Sequence, residues 1–110
     1  MKKLTALILS LSALSASAQT ATDTDGTTWH RTIGSEVLID GTAAASTWYV
    51  PKVNRSFRVV AIGCTDGKGR MVIRQDDKTK EFVWHYKGTT LIDRLGFDTC
   101  LAALVKEGKL

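Results

Sequence analysis

Two cysteines and two histidines are the residues of this 110-residue chain best equipped for chemistry: Cys64, Cys100, His30 and His85. A thiol pair carries out redox exchange when it is spaced C-x-x-C, which lowers one thiol pKa and brings the second within reach. Cys64 and Cys100 are far apart in sequence, so a structural bridge is the expected use of both. Two histidines can cleave RNA when one accepts and the other donates a proton. Here His30 lies in Trp29-His30-Arg31 and His85 in a strand-like run, and no local motif joins them. A structural zinc site needs four ligands, and neither H-x-x-x-H nor H-E-x-x-H spacing occurs. The segment Gly63–Gly69 (GCTDGKG) has too few residues between its glycines for a phosphate loop and no Ser or Thr after its Lys. There is no G-x-S-x-G serine elbow, and the carboxylates Asp76 and Asp77 fall in a turn. No catalytic, cofactor-binding or metal-binding residue is therefore assigned.

What remains is recognition by a surface. The tip of a hairpin at Asp66–Gly69 and the basic residues beside it give a candidate partner-binding set: Asp66, Lys68, Arg70, Arg74, His85 and Lys87. Trp29 and Tyr49 are further candidates, whereas Trp84 fits a core position on its strand.

The N-terminus dictates where these residues would work. Lys2 and Lys3 precede an uncharged run from Leu4 to Leu14, and Ala16-Ser17-Ala18 supplies the small-x-small pattern of a signal-peptidase site. The run is shorter than the roughly 20 apolar residues of a membrane span. Residues 1–18 are thus expected to be a cleaved signal peptide of bacterial type, leaving no transmembrane anchor. Lys2 and Lys3 would leave with it, so thirteen bases would face eleven acids, a net charge of +2 rather than +4. That is too small to signal nucleic-acid binding. The imbalance is local: residues 52–94 hold ten bases and five acids. Delivery to an oxidising compartment would join Cys64 to Cys100.

The elements that must position these groups follow from periodicity. Residues 19–28 are polar and unpatterned and read as a flexible leader; residues 29–110 read as one small domain. Strands are expected at Glu36–Asp40 and Thr47–Val50, with Thr42–Ser46 a loop or helical turn. Three β-rich runs, 57–64, 70–75 and 81–86, predict an antiparallel meander turned at Asp66-Gly67 and Asp77-Lys78. That register places Val60, Ile62, Cys64, Met71, Ile73, Phe82 and Trp84 on one face, Arg74 opposite Glu81, and His85 opposite Arg70. A helix is expected from an Asp98 N-cap to Lys106 with Gly108 as its stop, preceded by a short turn containing Leu91, Ile92 and Leu95.

The fold class expected is α+β: a small antiparallel sheet, comprising the meander 57–86 and one or two N-terminal strands, packed by a C-terminal helix and stapled by one disulfide. A Trp near the start, a strand ending in Cys64, then Asp66-Gly67-Lys68 and another strand together resemble small periplasmic β-sandwich proteins associated with bacterial secretion systems. The likeness covers a minor part of the chain and brings no site residue with it. The expected function is that of an exported, periplasmic or secreted, non-enzymatic module that binds another protein or envelope macromolecule as an inhibitor, immunity or accessory protein. The competing readings are a small secreted hydrolase or nuclease using His85 with nearby basic residues, and a structural envelope protein.

Overall fold

Valine, isoleucine and aromatic residues dominate the centre of the chain, and their stiff side chains favour a pleated backbone over a helix. The computed structural model describes residues 20–109, so the leader read at residues 1–18 lies outside the described residues. Strands β1 (Thr20–Thr22), β2 (Thr28–Arg31), β3 (Val37–Leu38), β4 (Ala43–Val50), β5 (Arg55–Ile62), β6 (Lys68–Gln75) and β7 (Lys78–His85) precede one helix, α1 (Leu91–Lys106). All strand pairings are antiparallel, in the order β1-β2-β4-β5-β6-β7, with β3 paired to β4. The protein is a small α+β fold in which a curled sheet wraps one C-terminal helix, with Cys64 bonded to Cys100.

Four strands rather than one or two come before the meander. The polar segment expected to be a leader supplies β1 and the turn into β2, where Ala21 opposite Trp29 is buried. The Ala43–Ser46 stretch, expected outside the sheet, is the first half of the long strand β4. Its small side chains pack at close quarters: Ala44 and Ser46 are fully buried, and the Ser46 and Thr99 hydroxyls share a 2.7 Å hydrogen bond from sheet to helix. The indole Nε1 of Trp48 donates to the same Ser46 Oγ at 2.8 Å, so the largest core side chain leaves no buried donor unpaired.

The meander exists, but its register differs from the expectation. The β5–β6 connection is a five-residue loop, 63–67, not a two-residue turn, and Ala61 rather than Ile62 stands opposite Met71. This one-residue slip turns β5 over, because side chains alternate faces. Val59 and Ala61 point into the core while Ile62 is exposed. The β6–β7 turn is Asp76-Asp77, with Asp76 at φ 56°, so Met71 faces Phe82 and Gly69 faces Trp84. Arg74 is opposite Thr79, not Glu81, and His85 is opposite Lys68, not Arg70.

The helix is one continuous element that absorbs the turn expected at Leu91–Leu95. Its N-cap is Thr90, whose hydroxyl accepts from the Asp93 N–H at 3.2 Å while the Asp93 carboxylate accepts from the Thr90 N–H. This capping box satisfies two of the helix's free donors. Asp98, the expected N-cap, lies mid-helix and is buried. Gly108 does end the helix: at φ 69° it allows its own N–H to donate to the Val105 carbonyl and that of Lys109 to the Leu104 carbonyl. Leu95 and Ala103 from the helix meet Trp48, Val59, Met71 and Trp84 in the core. The cystine joins the loop after β5 to the middle of α1, with 5.4 Å between the Cα atoms.

Candidate functional site

Alternation along a strand decides which of the candidate residues act together. Lys68, Arg70 and Arg74 all occupy the face of β6 turned away from the helix, and each is exposed. His85, opposite Lys68 at the end of β7, lies on the same face. Asp66 belongs to the adjoining 63–67 loop, and Lys87 follows β7 at that same end, where the Tyr86 N–H donates to the Gly67 carbonyl. Lys87 keeps its ammonium 5.8 Å from the Tyr86 ring centre, and its backbone N–H donates to His85 Nδ1. Arg58 adds a further cation opposite Arg74. Its guanidinium donates to Thr47 Oγ1 and the Ser35 carbonyl, which anchors it.

Charge on this convex face is nearly one-signed. Glu81 pairs with Arg70 at 3.0 Å, but both side chains are about two-thirds in solvent, where such a pair stabilises little. Apolar side chains lie among the cations: Val83, opposite Arg70, is 79% exposed, and Ile62 and Val72 share the face. Sheet register thus gathers Lys68, Arg70 and His85 around an uncovered valine, with Arg74 further along the same face opposite Thr79. It does not gather the two histidines. His30 is on β2, opposite Tyr49, with β4, β5 and β6 between it and β7. Among the described residues no three His, Cys, Asp or Glu side chains are placed to hold a metal ion.

Two features escape a reading by residue type alone. The first is a groove of about 650 Å³ in the mouth of the curled sheet, beyond the N-terminal end of α1. Trp29, Phe57, Ile73, Phe82, Leu91 and Ile92 form its apolar wall. The Trp29 and Phe57 rings meet at 4.9 Å between centres. Trp29 was legible as a candidate; its groove partners come from distant strands and required the fold. Tyr49, the other aromatic candidate, is on the opposite face and donates its hydroxyl to Asn54 Oδ1 at 2.6 Å.

The second is a cluster of buried charge. Arg31 Nη1 binds Glu36 Oε2 at 2.8 Å, and Arg31 Nε binds Asp98 Oδ2 at 2.9 Å, with all three side chains about one-tenth exposed. One guanidinium serves two carboxylates, so both cannot be held equally well in the ionised form. Burial raises Glu36 too, but N–H groups of Glu36 and Gly34, together with Arg31, outweigh it and hold that carboxyl below its usual range. Asp98 lacks those backbone donors. Burial pushes it up to about 6, against the pull of Arg31 and with a further push from the Glu36 charge. The cluster locks β2, the approach to β3 and α1 together, and Lys106 adds hydrogen bonds from its ammonium to the Gly34 and Glu36 carbonyls. Its side chains are enclosed and tie three elements together, a structural role.

No protein-family model matches this chain, and neither a curated protein nor a solved structure matches it. The likeness to periplasmic β-sandwich proteins gains no support from the architecture, since the described strands form one sheet against a helix rather than two facing sheets.

Proposed function

We propose that this chain is an exported, non-enzymatic binding module that recognises an acidic macromolecular partner, most simply a protein, through the convex face of β6 and β7. One observation carries the reading: Lys68, Arg70 and His85 surround the exposed Val83 on one face of the sheet, and Arg74 extends the same face towards the β6–β7 turn. Cations steer the approach of an acidic surface and fix its register, while an uncovered apolar side chain supplies the contact that survives salt. Export rests on the N-terminal leader pattern and fits a domain held by a cystine. An inhibitor, immunity or accessory role would use such a face directly. A hydrolase using His85 is the weaker reading, because His85 is exposed on an open strand face and the second histidine lies on β2, with three strands between them.

The test is affinity capture with cross-linking from envelope and culture fractions of the producing cell, using wild type, Arg70→Glu/Arg74→Glu and Lys78→Glu/Lys80→Glu. A partner retained by wild type and by the groove-lip variant, but lost by the convex-face variant, supports the proposal. Absence of any saturable partner, or equal retention by all three, refutes it. The N-terminal sequence of the accumulated protein tests export separately, and it should begin at Gln19.

A further inference from the structure

We infer that the groove in the mouth of the sheet binds a single-chain amphiphile with an anionic head, of the fatty-acid class. Its walls are aromatic and aliphatic, and its size falls within the several hundred Å³ typical of small-molecule sites. The chemistry of the lip selects the head group. Lys80 stands on the concave side of β7 in the row Val59–Ile73–Lys80, where the other two members are apolar. Its stem can lie along the wall while the ammonium stays at the opening. Lys78 and Gln75, paired across the β6–β7 turn, also border the groove. Among the described residues neither Lys78 nor Lys80 has a carboxylate within ion-pair distance.

The nearby acids are engaged elsewhere or face water. Asp23, on the far lip, accepts from the Thr24 N–H and hydroxyl. Asp76 faces Arg55, Asp93 caps the helix, and Asp77 is exposed in the turn. An alkyl chain against Trp29, Phe57 and Phe82 would therefore place a carboxylate between two uncommitted cations. The groove lies on the opposite side of the sheet from the convex face, so this inference and the proposed function can fail independently.

The experiment is calorimetric titration of the protein, as it accumulates, with decanoate, dodecanoate and dodecyltrimethylammonium below their micellar concentrations. Each buried methylene should tighten binding about four-fold, so dodecanoate should bind about 15-fold more tightly than decanoate. Lys78→Glu/Lys80→Glu, which alters only exposed side chains, should weaken dodecanoate at least ~10-fold by reversing the lip charge. Binding should also shift tryptophan emission in wild type but not in Trp29→Phe, because Trp48 and Trp84 are enclosed in the core. Absence of saturable dodecanoate binding would overturn the inference. So would equal affinity for the cationic amphiphile, an unchanged affinity in the double lysine variant, or an emission shift that persists in Trp29→Phe.

Discussion

Gly96→Ala sets two known effects against each other, and the structure decides between them. In the middle of an exposed helix the change would stabilise by about 1 kcal/mol, because alanine loses less backbone entropy. In α1, however, a Cβ at position 96 would come within 2.5 Å of Trp84 Cδ2 and 2.7 Å of its Cε3 and Cγ. Those are not the free end of a mobile side chain. The Trp84 ring is 1% exposed, and its Nε1 donates to the Ile62 carbonyl at 3.1 Å. Relief requires α1 to rise from the sheet, and the cystine at Cys100, one turn further along the helix, resists that movement. Overpacking of a dense core costs up to about 3 kcal/mol. Set against the propensity gain, the net loss should be about 2 kcal/mol, or roughly 10 °C in Tm for a domain of this size. Urea unfolding followed by tryptophan emission measures it directly. A variant as stable as wild type, or more stable, would show that helix and sheet are not in the close contact described.

The buried charge cluster yields two further expectations. Asp98 is pushed from 3.8 to about 6, so between those values the folded protein holds a proton that the unfolded chain has released. Stability should therefore fall as pH rises through that window, by on the order of 3 kcal/mol, and level off above it. Asp98→Asn should flatten the slope between pH 4 and 6 in denaturant titrations; an unaltered slope would place the titrating group elsewhere. Arg31→Ala removes the cation from two enclosed carboxylates and should cost about 3–5 kcal/mol at pH 8. The loss should be smaller near pH 5, where Asp98 is largely protonated, and a loss independent of pH would contradict the shared-guanidinium account.

Strongly patterned segments were legible from residue order, and segments whose partners are distant were not. The runs around Val59, Val72 and Val83 announced the meander, Gly108 announced the helix stop, and an isolated pair of cysteines without C-x-x-C spacing announced their bond. Register failed at both connections of the meander, by two positions at the Asp76-Asp77 turn, which kept the faces, and by one at the β5–β6 loop, which did not. Asp66-Gly67 looks like a two-residue turn, but Gly63 also adopts a positive φ, and the loop takes five residues. That difference turned β5 over and moved Val59 and Ala61 inward in place of Val60 and Ile62. The helix start was available in Thr90-Leu-Ile-Asp93, which has the capping-box spacing, yet Asp98 before an apolar run gave the louder signal. Ala43–Ser46 has weak strand propensity and became a strand because small side chains let the sheet approach the helix there. Nothing local links Arg31 with Asp98, 67 positions away, so the buried ion cluster could only come from the fold. Within the candidate set, the common face of Lys68, Arg70 and Arg74 follows from alternation along one strand and is independent of the register error. The groove drew on five elements and had no counterpart in any single segment.

The bond between Cys64 and Cys100 closes a covalent ring that contains the whole of β6 and β7. A protease that cuts the exposed Asp76-Asp77 turn would therefore open the ring without releasing a fragment, and the two halves would migrate as one species until a reductant is added. A cut in the Pro51–Asn54 turn behaves differently, because no cystine spans it and the pieces are held only by noncovalent contacts: sheet pairing, core packing, and the polar links of Arg31, Ser46 and Lys106. The molecule thus has one half fastened by a covalent link and one half fastened only by pairing and packing, and the basic convex face together with the lysine lip of the groove belongs to the fastened half.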